Sequence, residues 1–114
     1  VEAAGGTPQQ SSEAIAIALS NLFGLVWDPV ARLVEIPCVK RNAIGTTNAL
    51  VAADMALAGC TSKIPADEVI SAMAKIGQHM PKQLRETGLG GLAATPTGKK
   101  IKMQIFGTEI STDK

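Results

Sequence analysis

The sequence predicts an all-α fold: a helical bundle around a central Ala/Gly-rich helix, with a glycine-rich loop and a C-terminal tail. Three observations carry that expectation. Aromatic residues are confined to Phe23, Trp27 and Phe106, with no tyrosine, while alanine and glycine abound; this composition suits closely approaching helices better than sheets of β-branched and aromatic strands. Helix starts are marked by cap-plus-proline pairs, Thr7-Pro8 and Asp28-Pro29. Residues 38–58 are apolar or small almost all round, the pattern of a helix surrounded by others.

Taken in order, Val1 to Gly6 reads as the tail of a preceding helix and the chain as a piece of something longer. Thr7 is the cap of the first helix, Pro8 fits its first position, and Gln10 completes a capping box. Ile15, Leu19, Leu22 and Phe23 follow at helical spacing, and Gly24 is a natural stop. Asp28-Pro29 predicts a second, shorter helix to about Ile36, interrupted by Pro37 because proline disfavours helical geometry in the residue before it. The longest helix is expected from Cys38 to Ala58, ended by Gly59. Another opens near Ile64-Pro65, with Asp67 and Glu68 in its first turn where acids complement the helix dipole, and Gly77 as its end or a loosened point. Pro81 predicts a short helix to about Thr87. Gly88 to Gly98 reads as a loop, and Lys99 to Lys114 as a polar tail with Ile101, Met103, Ile105 and Phe106 as docking residues.

At 114 residues the chain is one domain or part of one, and with 46% hydrophobic and 18% charged residues it can bury a core. A net charge of +1 gives no electrostatic reason to expect nucleic acid or an anionic membrane surface as partner. Two cysteines make no disulfide scaffold, and neither an export signal nor an apolar run of spanning length is present, so a cytoplasmic protein is expected.

Most chemistry-bearing residues read as bland. His79, the one histidine, reads as a surface residue and rules out a histidine-based triad for want of a convergent set. Asp54 in the apolar helix reads as salt-bridged or solvent-facing, and Cys60 as a loop thiol. The run Gly88 to Gly98 lacks the Gly-Lys-Ser/Thr ending of a phosphate loop, since Lys100 follows Gly98-Lys99. Pro37-Cys38-Val39-Lys40-Arg41-Asn42 is different. A thiol there sits near a helix start, with Arg41 and Asn42 within a turn, able to hold a carboxylate. The residues alone leave an active-site role and a packed helix junction both open.

The stretch Trp27-Asp28-Pro29-Val30-Ala31-Arg32-Leu33-Val34-Glu35-Ile36-Pro37-Cys38, then Arg41-Asn42-Ala43, Ala52-Ala53-Asp54-Met55-Ala56-Leu57, Glu86-Thr87 and Leu89-Gly90-Gly91-Leu92-Ala93-Ala94-Thr95-Pro96-Thr97-Gly98, resembles the iron–sulfur-dependent L-serine dehydratases. The likeness covers residues 1–114, aligned to the C-terminal portion of the α subunit or α domain. It implies a [4Fe–4S] cluster held by three cysteines, with one iron left open as a Lewis acid, and conversion of L-serine to pyruvate and ammonia. It further implies a β subunit or β domain as partner, and a homo-oligomer is a further expectation. Cys38 matches one cluster ligand, Arg41 and Asn42 match a motif beside the cluster that touches substrate, and Gly90 and Gly91 match a structural glycine loop. The family's run is Cys-Asp-Pro-x-x-Gly-Leu-Val-x-Ile-Pro-Cys. Trp27 therefore replaces a ligand cysteine and Arg32 a glycine; the third ligand is expected upstream of Val1. Indole does not ligate iron, so the isolated chain is expected to hold no cluster and to be inactive. The alternatives are a non-catalytic helical relative that binds a partner subunit, or a related lyase acting on cysteine. Arg32 is expected to reach solvent or pair with Asp28 or Glu35.

Overall fold

A computed structural model describes residues 1–107. Their regular structure is helical: α1 (Pro8–Ser20), α2 (Cys38–Leu57), α3 (Ala66–His79) and α4 (Pro96–Phe106), with short 3₁₀ turns between them. The all-α expectation holds. None of these helices is long and apolar enough to cross a membrane.

The residues form two compact units. One comprises Val1–Leu25 and Asn42–His79; the other comprises Val26–Arg41 and the chain from Met80 onward. In the first, Thr7 caps α1 by accepting from the Gln10 N–H at 3.1 Å, while the Gln10 side chain accepts from the Thr7 N–H at 2.9 Å, the reciprocal box that the sequence signals. The helix ends at Ser20 and turns over residues 21–24, so the stop falls slightly before Gly24. α1 packs on α3, and Ala16 of the one and Val69 of the other are buried. α2 is tied to α1 by side chains: Asn48 donates to the Ala18 carbonyl and accepts from Asn21, and Gln10 donates to the Ala56 carbonyl.

α2 has nearly its expected bounds, yet it is not the surrounded central helix. Only Ala52 and Ala56 are buried, whereas Ile44, Leu50 and Val51 are half exposed or more. An apolar periphery does not by itself bring neighbours to a helix. α3 runs through Gly77 to His79, because one glycine costs a helix only about 1 kcal/mol. Val1–Gly6 holds one 3₁₀ turn, Glu2–Ala4, rather than a helix tail.

The second unit departs further from expectation. No helix follows Asp28-Pro29. A 3₁₀ turn at Val30–Arg32 carries Ala31 and Arg32 at φ 56° and 60°, and the Val30 N–H donates to the Ile36 carbonyl at 2.9 Å. Two consecutive left-handed residues reverse the chain and forbid helix propagation, so 28–37 is a closed loop. The Ile36–Pro37 peptide bond is cis. The helix expected from Pro81 to Thr87 is a single 3₁₀ turn, Lys82–Leu84, because the Leu84 carbonyl and the Glu86 N–H are engaged by the backbone of Trp27.

The expected polar tail is corrected too: α4 occupies Pro96–Phe106. Thr95 caps it by accepting from the Gly98 N–H at 3.1 Å, and Pro96 takes the first position. This is the same signal as Thr7-Pro8, and the helix packs on the Val30–Arg32 and Gly91–Ala94 turns. The rest of that tail, residues 108–114, lies outside the described residues.

Candidate functional site

The loop from Val26, the start of α2 and the glycine-rich segment meet at one carboxylate. Asp28 is 2% exposed in a unit whose other buried side chains, such as Val30, Ala31 and Ala93, are small and apolar. Its Oδ1 accepts from Arg41 Nη1 at 2.5 Å, and its Oδ2 accepts from the Leu92 N–H at 2.6 Å. The same Arg41 nitrogen donates to the Val26 carbonyl at 3.0 Å. A buried carboxylate demands such partners, since desolvation of an unpaired charge is prohibitive. Burial pushes the Asp28 carboxyl up; the Leu92 N–H and the Arg41 hydrogen bond and charge outweigh it and hold the group below its usual value. Asp28 stays ionised.

This clamp positions the residues singled out from sequence. Cys38 is the first residue of α2, half-buried, one turn before Arg41. Arg41 therefore tethers the helix start that carries Cys38 to Val26 and Asp28, the two residues flanking Trp27. Trp27 itself is fixed by its backbone: its N–H donates to the Leu84 carbonyl at 2.9 Å and its carbonyl accepts from the Glu86 N–H at 2.7 Å. The indole stands 49% exposed. Asn42 is not drawn in. Its side chain is exposed, and its carbonyl accepts from the Thr46 hydroxyl.

The glycine loop closes onto the same carboxylate. Gly91 has φ 57°, and a Cβ there would collide with the Asp28 carboxylate; a Cβ on Gly90 would stand 2.9 Å from the Gln83 carbonyl. Close backbone approach explains both glycines, in keeping with the structural role read for them.

Sequence reasoning singled out Arg41 but not its partner in this chain. The carboxylate that faces Arg41 is Asp28 of this chain, held through one guanidinium nitrogen. Asp28 was read as a helix cap; no short-range signal links it to Arg41 or to Leu92. Arg32 reaches solvent, with Asp28 already taken. His79 is exposed at the end of α3, with Nδ1 2.7 Å from the Lys75 carbonyl, and Asp54 faces solvent. Cys60 lies exposed in the loop after α2. Among the described residues, no three His, Cys, Asp or Glu side chains converge as metal ligands.

Comparison with known proteins matches residues 1–93 to the family described as serine dehydratase alpha chain. The chain is 75% identical over 114 residues to a probable L-serine dehydratase alpha chain of Latilactobacillus sakei, covering all of this chain and 54% of that protein. It is 71% identical over 112 residues to a probable L-serine dehydratase alpha chain of Bacillus subtilis, covering 98% of this chain and 37% of that one. It is 53% identical over 106 residues to the L-serine dehydratase alpha chain of Peptoniphilus asaccharolyticus, covering 93% and 36%. The chain thus spans about half the length of the first of these relatives and about a third of the other two. No solved structure matches it. A family match over most of the sequence, on the loop, helix start and glycine segment that meet at Asp28, has one meaning: the chain belongs to the serine dehydratase alpha chain family.

Proposed function

We propose that this chain is part of an L-serine dehydratase, and that Trp27 disables the site its fold still builds. The reaction removes water from L-serine to give an enamine, which takes up water and releases ammonia to leave pyruvate. Support comes from relatives named for that activity and from the Asp28–Arg41 clamp, which holds the start of α2 against the segment carrying Trp27. The protein would work in the cytoplasm with a β subunit or β domain.

The donor set does not fit a [4Fe–4S] cluster. Cys38 supplies one thiol, and position 27 presents an indole with no electron pair to give to iron. With the third ligand expected upstream of Val1, Trp27 leaves two cysteines for a cluster that needs three. The observation that supports the reading is Trp27 itself: both of its backbone hydrogen bonds are made, to Leu84 and Glu86, while its indole has no electron pair to give to a metal. Arg41 could still take a substrate carboxylate through the nitrogens that do not face Asp28, with exposed Asn42 beside it.

A second reading, a non-catalytic relative that binds a partner subunit, is favoured by the same two residues, Trp27 and Arg32. Pyruvate formation from L-serine separates the two, measured with the complete protein and its β partner after anaerobic treatment with iron and sulfide. The dehydratase reading expects no turnover with Trp27 and turnover in Trp27→Cys. Turnover with Trp27 in place overturns the assignment of position 27; an inactive Trp27→Cys protein that still binds its partner establishes the non-catalytic reading instead.

A further inference from the structure

The second unit contains a cavity of about 330 Å³ that takes no part in the Asp28 clamp; its lining includes Arg32, Leu33, Thr87, Gly88, Lys102 and Phe106. That volume falls within the range of small-molecule sites. Its chemistry is one-sided. Among the described residues, two cations and a hydroxyl line it, no aspartate or glutamate does, and the remaining surface is aliphatic or aromatic. Lys102 and Phe106 stand one turn apart on the same face of α4, so a charge and an aromatic ring are presented together. The Thr87 hydroxyl donates to the Lys82 carbonyl at 2.8 Å, which leaves its oxygen lone pairs available.

Arg32 is the telling member. Its φ of 60° lies in the left-handed region that favours glycine, yet the residue there is a long cation. Strain of this kind persists where the surroundings enforce it, and it concentrates at binding sites. The bare Gly88 makes room for it: a Cβ there would lie 2.9 Å from Arg32 Cγ, so the arginine stem packs directly against the Gly88 backbone, another lining residue of the cavity. Arginine offers a planar fork suited to a carboxylate, and Lys102 a second point charge.

We propose that this cavity binds a small organic carboxylate with an apolar or aromatic body, the carboxylate between Arg32 and Lys102 and the body against Leu33 and Phe106. This proposal stands apart from the dehydratase reading and does not depend on a cluster. The test is a calorimetric titration of the protein with 3-phenylpropionate, with 3-phenylpropanamide as the neutral analogue and inorganic phosphate as a bare anion. Saturable binding of the carboxylate is expected, at least about tenfold tighter than amide or phosphate, and weakened about tenfold by Arg32→Gly and by Lys102→Gln. Arg32→Gly relaxes the left-handed backbone, and glutamine is a good helix former at position 102, so loss of binding in folded variants reports the site. The proposal is overturned by absence of saturable binding, by equal affinity for amide or phosphate, or by affinity that Arg32→Gly leaves unchanged.

Discussion

Removing the Arg41 side chain would leave the buried Asp28 carboxylate with the Leu92 N–H alone, so Arg41→Ala is expected to destabilise the second unit by about 2–3 kcal/mol in urea denaturation. The sign of the pH dependence follows from the same contacts. Because the folded-state pKa of Asp28 is lowered, its stabilisation is present above the unfolded carboxyl value of about 4 and is lost as pH falls through the lower folded value. Stability of the chain should therefore drop below about pH 4, and Asp28→Asn should lose this residue's share of that drop while being less stable at neutral pH. Arg32 behaves in the opposite way: Arg32→Gly removes left-handed strain and should raise stability by about 1 kcal/mol, whatever it does to ligand binding. At this scale the sequence is legible where chemistry is local. Cys38, Arg41 and the odd Arg32 stand out in the string, whereas the bond from the Leu92 N–H to the Asp28 carboxylate spans 64 residues and no spacing announces it.

Helix caps show what was readable among the elements and what was overridden. Thr7-Pro8 and Thr95-Pro96 carry the same chemistry and both start helices, although the second is embedded in a glycine-rich run that hides it. Thr95→Ala should cost about 1 kcal/mol and lower the helical signal of α4, checked by circular dichroism during thermal unfolding. Asp28-Pro29 has the same form and starts nothing, because its carboxylate is taken by Arg41 and Leu92 and the next residues turn left-handed. Tertiary demand wins over local propensity there. The Pro81 segment fails as a helix for a related reason, its carbonyl and N–H groups being claimed by the backbone of Trp27. In the glycine segment, Gly91→Ala should destabilise by about 2–4 kcal/mol, since the new methyl meets the Asp28 carboxylate at a positive φ.

For the whole molecule, membership of the serine dehydratase alpha chain family and the helical class agree with the sequence reading, while the surrounded central helix does not. The surroundings of position 27 are well tied: backbone pairing to Leu84 and Glu86, the Asp28–Arg41 clamp, and Cys38 one turn before Arg41. In the proposed reading, Trp27 is the side chain on that scaffold that decides cluster binding. The most direct test is the iron and sulfide bound per molecule, with the visible absorbance of the cluster, after anaerobic reconstitution of the complete alpha chain in its Trp27 and Trp27→Cys forms. A colourless Trp27 protein beside a brown, air-sensitive Trp27→Cys protein is the expected pair. A stable cluster in the protein that keeps Trp27 would show that position 27 is not a ligand position, and the proposed loss of function would fall with it.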